Sequence, residues 1–493
     1  MKDRVEEGYS HVLKYTGLFG GVQVLVLFFS LVRNKFMALL LGASGVGFNS
    51  LMVSVQNFAS QSTNLGISFG AVPRLSEYFE QGDTHKITYY IQVIRLWSII
   101  AAVLGFVFCV AVSPFFDVLS FDWGNHTLHY ALISVAVALA AITGGETAIL
   151  KATRRLGALA KIQLLTAAAS VVISVPLYYF FWHGGVVPAI VLVAVVNMVI
   201  AIGYSYRCYP LQLHFERGQL REGAGMLKLG IAFVLAAAVG SGAEMLIRSF
   251  LNISGELEMV GLYNVGYMVT ITYAGMVFSS METDYYPRLS AVQKDIRATN
   301  ETVNKQMEVS LLMLSPMLVG LLMFLPLLIP LLFSDEFLPV VSMTQVAVLA
   351  MYFKVLTLPV AYITLARSYP LSYLFLETMY YVAFVLMVVF GFSHWGIFGT
   401  GLAIVAAHVF EYLFVNAYAY WKYGYRCTWE VVRYALVQLS LGIGAYFVSC
   451  ISDGWVYWTA EAALTFVSTA YSVYVLRQKT HLWEALMRRL KKR

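Results

Sequence analysis

The chain has 493 residues, of which 59% are hydrophobic and only 12% are charged. Soluble domains contain about 45–50% apolar and about 25% charged residues, so this composition excludes a soluble globule and indicates a protein of the lipid bilayer. The formal net charge of +6 then favours contact with anionic lipid headgroups over contact with nucleic acid.

Apolar segments of about 20 residues, the length needed to cross a hydrocarbon core, recur along most of the chain. Long apolar runs without strict alternation favour helices over a closed barrel, because lipid cannot satisfy backbone hydrogen bonds. We therefore predict an all-α polytopic membrane protein with about fourteen transmembrane helices. The predicted helices lie at 15–40, 48–72, 91–113, 127–150, 162–181, 186–205, 229–251, 260–284, 310–333, 341–364, 371–391, 397–420, 434–451 and 455–476.

Lysine and arginine occur in every second connection between these helices. The alternate connections contain acids and tryptophans but neither lysine nor arginine, as in PFFDVLSFDWGNH and NISGELEM. Because positive residues collect on the cytoplasmic side of a membrane, we predict that both termini are cytoplasmic.

An internal repeat relates the two halves of the chain at an offset of 214 residues. The dipeptides Val46–Gly47 and Val260–Gly261 begin the second and eighth predicted helices, and the sequence PRLS follows them at 73–76 and 287–290. Two interpretations are open, because Pro and Arg are also common wherever helices leave a membrane on the cytoplasmic side.

Interpreted as a duplication, the repeat gives six crossings in each half, so the two lobes are parallel and can move about a central site by alternating access. We predict an N-terminal lobe over residues 1–210 and a C-terminal lobe over residues 222–425. The last two helices and a basic cytoplasmic tail occupy residues 430–493.

Three segments resemble the Wzx-type polysaccharide flippases of the multidrug/oligosaccharidyl-lipid/polysaccharide (MOP) exporter superfamily: LVRNKFMALLLGASGVGFNSLMVSVQNFASQSTNLGISFGAVPRLSEYFEQGD, VGLYNVGYMVTITYAGMVFSSMETDYYPRLS and FSDEF. The resemblance implies a V-shaped pair of lobes in a bacterial inner membrane. It implies a flippase that moves undecaprenyl-diphosphate-linked oligosaccharide repeat units to the periplasmic leaflet, for O-antigen, capsule or another surface polysaccharide. It implies a polymerase and a chain-length regulator as partners, no cofactor, and H⁺ or Na⁺ as the coupling ion.

Four of the cations within the predicted helices are candidate site residues, namely Arg33, Lys35, Arg248 and Lys354. Each costs about 2.5–3.5 kcal/mol at a helix centre, so together they favour a hydrated cavity that holds an anion such as a diphosphate. Arg33 and Lys35 point in nearly opposite directions on one helix, so one of them is expected to extend towards the membrane surface. Arg248 follows Glu244 by four residues, so an intrahelical ion pair is an alternative to its role in the cavity.

Uncharged polar residues form a stripe on the second predicted helix at spacings of seven, four and three: Asn49, Gln56, Ser60 and Thr63. Such a face suits the hydroxyl groups of a sugar, and hydrogen bonding between helices is the alternative. Ser241, Glu244 and Arg248 form a second polar stripe, which we predict also faces the cavity.

Acids and a histidine inside the predicted helices are the candidates for ion coupling: Glu146, Glu244, Glu282, Asp284, Glu377, Glu411, Glu461 and His408. His408 and Glu411 are three residues apart and could share a proton, although packing alone also accounts for them. Arg74 and Arg288 are equivalent in the repeat and are predicted to be cytoplasmic gate residues or anchors. No residue is assigned a catalytic or metal-binding role.

Two other functions compete with the flippase. A multidrug or cation antiporter of the same superfamily needs embedded acids, whereas the first predicted helix carries cations and no acid. A membrane-embedded glycan polymerase or glycosyltransferase needs a catalytic site at the membrane surface, and the longest predicted exterior loop is too short to form one. The sequence contains no phosphate-binding loop, so we expect secondary or potential-driven transport.

Overall fold

We describe a computed structural model of the chain. The structure describes residues 2–121, 125–211, 217–272, 275, 285–367, 369–451 and 454–479. These residues are helical almost throughout, and they contain no β-strand. In chain order the α-helices are α1 (Lys2–Thr63), α2 (Ile67–Gln81), α3 (Thr84–Ser120), α4 (Thr127–Ala152), α5 (Leu156–Phe181), α6 (Val186–Cys208), α7 (Arg217–Tyr267), α8 (Ile296–Leu332), α9 (Val340–Val348), α10 (Ala350–Ala366), α11 (Pro370–Tyr423), α12 (Trp429–Ser449) and α13 (Gly454–Lys479).

Within the described ranges, nine helical segments are long and apolar enough to cross a membrane. This finding confirms the prediction of an all-α, multi-pass membrane protein. Four of the nine contain 42 to 54 residues, more than twice the length of one crossing. Each of these four contains a bend at a connection between two predicted helices, so one continuous segment accommodates two predicted crossings.

The bends recur at the predicted repeat offset. Gly42 bends α1 with φ 67° and ψ −170°, and Glu256, 214 residues later, bends α7 with φ 71° and ψ 168°. Trp182, after α5, has φ 52° and ψ −133°, and Gly396, again 214 residues later, bends α11 with φ 55° and ψ −142°. Matching backbone conformations at one offset support the interpretation of the repeat as a duplication.

The described residues form two compact units. Unit 1 comprises residues 1–261 and 332–334, and unit 2 comprises residues 262–331 and 335–493. Contacts thus group most of α7 with the first half of the chain, whereas the sequence assigns this helix to the second lobe. The lobe boundaries at 210, 222 and 425 concern the repeat and remain a prediction.

Within unit 1, α7 packs closely against α1 where both helices have glycine. A Cβ atom on Gly47 would overlap the carbonyl oxygen of Leu257, and a Cβ atom on Gly261 would overlap the carbonyl oxygen of Ala43. Both pairs of equivalent residues are 214 apart, so this crossing is locally symmetric. Only glycine permits the two backbones to approach this closely.

Candidate functional site

A polar cavity lies inside unit 1, among α1, α4, α5 and α6. It consists of two neighbouring spaces of about 600 Å³ and about 270 Å³. Both spaces are lined by Arg33 of α1, Thr143 of α4 and Asn197 of α6. These helices pack against one another and so bring residues that are far apart in sequence to a single cavity.

Arg33 is the only charged residue among those that line these two spaces. Its side chain is half-buried, and its Nε is buried without a hydrogen-bond acceptor among the described residues. One terminal nitrogen donates to Asn34 Oδ1 at 3.4 Å, a long and weak hydrogen bond. The guanidinium therefore keeps most of its donors for a group that enters the cavity.

The remaining polar lining consists of amides and hydroxyls. The larger space is lined by Gln23, Ser30, Thr147, Gln163, Thr166 and Ser170, and the smaller space by Asn49, Gln56, Ser174 and Tyr178. Thr166 donates a hydrogen bond to Asn197 Oδ1 at 3.0 Å, which leaves the Asn197 amide nitrogen to donate elsewhere. This chemistry matches neutral, hydroxyl-rich ligands.

The predicted stripe on the second half of α1 divides between two environments. Asn49 and Gln56 line the smaller space. Ser60 and Thr63 are not among its lining residues, and the Thr63 hydroxyl instead donates to the Ala59 carbonyl at 2.7 Å. The sugar-binding role predicted for the four residues remains a prediction. The Thr63 bond lies within α1, and Ser60 Oγ is buried without a hydrogen-bond partner among the described residues, so neither forms the bond between helices that was the alternative.

Arg248 forms the intrahelical pair that the sequence offered as the alternative. It donates to Glu244 Oε2 at 3.2 Å and to Ser50 Oγ on α1 at 2.8 Å. Ser241, on the same stripe, donates its hydroxyl to the Ala237 carbonyl at 2.7 Å. None of these three stripe residues of α7 lines the two spaces described above, and their predicted roles in binding and coupling remain predictions.

Lys354 is also paired with a carboxylate, in unit 2. Its Nζ lies 3.2 Å from Glu411 Oε1 on α11 and 5.5 Å from the centre of the Tyr380 ring. His408 is buried, and its Nδ1 lies 2.9 Å from the Ile404 carbonyl oxygen. Glu411 thus has Lys354 as its ion-pair partner, and the proton exchange considered between His408 and Glu411 remains a prediction.

A buried ion pair that sequence analysis missed joins three helices of unit 1. Arg95 of α3 binds Glu146 of α4 through two hydrogen bonds, of 3.0 Å and 3.3 Å. Ser205 of α6 donates to the same carboxylate at 2.5 Å, and Arg95 also donates to the Tyr209 carbonyl at 2.8 Å. Opposite charges in neighbouring predicted helices were the available signal. The contacts give Glu146 a structural role, and its predicted role in coupling remains untested.

The two equivalent arginines of the PRLS segments have different partners. Arg74 of α2 forms an ion pair of 2.9 Å with Glu222 of α7, whereas Arg288 donates to Gln306 at 3.3 Å. Lys35 is half-buried and does not line the two spaces. Glu282 and Asp284, two further acids of the eighth predicted helix, lie outside the described residues.

The comparisons with known proteins agree with this architecture. A family model described as "Polysaccharide biosynthesis protein" matches residues 36–342. None of the curated proteins matches the chain. The fold is similar to that of the lipid II flippase MurJ in an inward closed conformation, with a TM-score of 0.66 and 12% identity over 94% of this chain and 99% of that one.

Two multidrug transporters have similar folds. An inward-facing MATE transporter of the MOP superfamily matches with a TM-score of 0.61 and 13% identity, over 82% of this chain and 97% of that one. The MATE multidrug transporter DinF-BH matches with a TM-score of 0.59 and 15% identity, over 83% and 94%. At these identities the similarity establishes the fold and leaves the cargo open.

Proposed function

Because the chain belongs to the polysaccharide biosynthesis protein family and has the fold of MOP transporters, we propose that it is a flippase for a lipid-linked oligosaccharide. Its cargo carries a diphosphate between a polyprenyl chain, undecaprenol in bacteria, and the sugar repeat unit. The membrane is the bacterial inner membrane, with both termini on the cytoplasmic side. The cargo moves from the cytoplasmic to the periplasmic leaflet.

One observation supports this cargo above the alternatives. The cavity of unit 1 contains a guanidinium without an ion-pair partner among the described residues, and amides and hydroxyls surround it. Arginine binds phosphate oxygens through parallel hydrogen bonds, and amides and hydroxyls bind sugar hydroxyls. A cationic drug would meet a like charge in this cavity, which disfavours the antiporter.

Transport requires the cargo to reach the cavity from each leaflet in turn. The bends at equivalent positions of α1, α7 and α11, together with the equivalent turn after α5, divide long helices into segments that can change their angles. We infer alternating access driven by an ion gradient or by the membrane potential. A polymerase and a chain-length regulator would then act on the delivered repeat units.

The test uses a bacterial strain depleted of the native protein and complemented with variants. We expect Arg33→Ala to be expressed normally and to accumulate lipid-linked glycan on the cytoplasmic face. Arg155→Ala is the matched control, because Arg155 is an exposed arginine at the start of α5 and its loss removes the same charge outside the cavity.

Wild-type transport by Arg33→Ala would contradict the proposed site. Resistance to cationic drugs on overexpression, without any effect of depletion on the glycan, would replace the flippase by the antiporter.

A further inference from the structure

A line of polar groups follows one face of α13, at the C-terminal end of the described chain. The polar residues buried on this helix are Tyr457, Glu461, Ser468 and Ser472. Their spacings of four, seven and four place them on the same side of the helix. Ser468 donates to Gln438 of α12 at 2.7 Å, and Gln438 donates in turn to Ser472 at 2.8 Å.

Glu461 differs from the other members of this line. Its side chain is completely buried, with 0% exposed, and neither carboxylate oxygen has a hydrogen-bond partner among the described residues. The following residues of α13 lie beside glycines of the two neighbouring helices. Thr465 lies next to Gly320 of α8, and Leu464 lies next to Gly444 of α12, each 3.9 Å from the place that a Cβ atom on the glycine would occupy. An ionised carboxylate is strongly disfavoured in such surroundings, so the stable form carries a proton.

The described groups that face Glu461 include no cation. Tyr457, one turn earlier on α13, donates its hydroxyl proton to the Met323 carbonyl at 2.7 Å and lies 3.3 Å from the Leu322 carbonyl. Leu322 lacks its usual helical donor because Pro326 has no N–H. The Tyr457 proton is thus committed to the backbone of α8 and does not stabilise a carboxylate at Glu461.

The helices packed around this site supply no other charge within the ranges that the structure describes. The stretch of α8 at 319–332 has no ionisable residue, and the second half of α12 has only Tyr446, followed by Cys450. Tyr352 of α10 contacts Gly442 of α12 and is neutral. Along α13, the nearest described base on the same face is Lys479, which pairs with Glu308 and lies about 27 Å along the helix from Glu461 at about 1.5 Å per residue.

We propose that Glu461 is a proton-binding site, enclosed by α8, α12 and α13, that takes up and releases a proton in each transport cycle. The carboxylate accepts a proton from water when movement of α13 opens the site, the neutral acid is enclosed when the helices close, and the proton returns to water when the site opens again. Beyond Glu461, the hydroxyls of Ser468 and Ser472, together with the amide of Gln438 on α12, lie along this face of α13 in the direction of Lys479. Coupling to transport rests on the proposed flippase function, whereas proton binding by Glu461 does not.

Infrared spectroscopy of the purified protein in lipid tests proton binding without any cargo. We expect the spectrum of wild type minus Glu461→Gln to contain a protonated-carboxyl band at neutral pH, which converts to a carboxylate band when alkaline pH is reached. Glu430→Gln, which changes an exposed acid at the start of α12, should remove only a carboxylate band at neutral pH. A carboxylate band for Glu461 at neutral pH, or no difference band, would overturn the proposal.

Transport in proteoliposomes with an imposed pH gradient tests coupling. Glutamine has the shape of the protonated acid, so Glu461→Gln should fold and bind cargo but lose the dependence of its rate on the gradient. Glu430→Gln should keep that dependence. A gradient response in Glu461→Gln equal to wild type would overturn coupling through this residue. Absence of flipping by the wild type would instead contradict the proposed function, and the infrared result would stand independently.

Discussion

Arg33 of unit 1 and Lys354 of unit 2 are both cations within membrane-spanning helices, but their surroundings differ. In unit 2, Lys354 has Glu411 at 3.2 Å, so its charge is balanced by the protein itself. In unit 1, Arg33 lines a polar cavity and has no carboxylate partner among the described residues. Lys354 thus has a counterion within unit 2, whereas Arg33 is available for an anion that comes from outside the protein; the cavity role predicted for Lys354 stays a prediction.

Arg248 shows why position alone does not reveal this difference. It lies 215 residues after Arg33, one residue from the equivalent place in the repeat. It nevertheless has an internal carboxylate in Glu244 and a hydroxyl acceptor in Ser50. Three embedded cations in similar helices therefore have three different sets of partners, and only Arg33 lines the described cavity.

Removal of one member of the Lys354–Glu411 pair should have the largest effect on stability. Glu411→Ala removes the carboxylate that lies 3.2 Å from the ammonium, and we expect the free energy of unfolding to fall by about 3 kcal/mol, the low end for a buried pair because the Lys354 side chain is 28% exposed. Unfolding in detergent measures this change. The double variant with Lys354→Ala should recover part of the loss, and additive losses would show that the two residues do not act as a pair.

Arg33→Ala should change binding more than stability. A hydrogen bond to a charged group contributes about 1.5–3 kcal/mol, so the affinity for a diphosphate-linked lipid should fall by about 10-fold to 140-fold. Titration of the purified variant measures the affinity, and Arg33→Lys should restore part of it because the charge remains. A large loss of stability in Arg33→Ala with unchanged affinity would make Arg33 similar to Lys354.

Asn197→Ala should weaken recognition of the sugar rather than the phosphate. The change removes an amide that lines both spaces and accepts from Thr166. We expect a loss of up to about 1.5 kcal/mol in affinity for the glycan-bearing lipid. The affinity for polyprenyl diphosphate without sugar should not change. Equal losses for both ligands would show that the residue shapes the cavity and does not bind sugar.

Glu256→Gly should give the smallest effect, and it tests whether the two halves of the repeat, both represented in unit 1 by α1 and α7, share one backbone conformation at this bend. Glu256 has φ 71°, a conformation that favours glycine and that Gly42 adopts at the equivalent place in α1. We expect the variant to be more stable, measured by unfolding, because release of about 1–3 kcal/mol of backbone strain outweighs the additional entropy cost of glycine, about 0.5–1 kcal/mol. Gly42→Ala should be less stable. Destabilisation by Glu256→Gly would indicate that the glutamate side chain stabilises this bend.

Hydropathy predicted the helices well because the thickness of the bilayer sets their length and lipid excludes other backbone structures. The bends themselves were not predicted, but Gly42 and Gly396 lie in the short connections LGASGVG and FSHWG between predicted helices, and the repeat offset relates them to Glu256 and Trp182. Sequence did not predict that Glu256 and Trp182 adopt positive φ, because their residue types disfavour it and only packing imposes it.

The site was predicted less completely than the fold. Arg33 was a candidate because a charge inside a membrane-spanning helix is costly unless it faces a hydrated cavity or a partner. The same reasoning applied equally to Lys354. The pairing of Lys354 with Glu411 depends on how α10 and α11 pack, since 57 residues separate the two along the chain. The hydroxyls and amides of α4, α5 and α6 were missed, because the rotation of each helix about its axis decides whether they face a cavity or lipid.

The most direct measurement is the affinity of the purified protein for a water-soluble short-chain polyprenyl diphosphate, compared among wild type, Arg33→Gln and Lys354→Gln. We predict that Arg33→Gln binds at least about tenfold more weakly, the effect of about 1.4 kcal/mol, and that folded Lys354→Gln binds as the wild type does. Equal binding by wild type and Arg33→Gln would contradict a phosphate-binding cavity in unit 1.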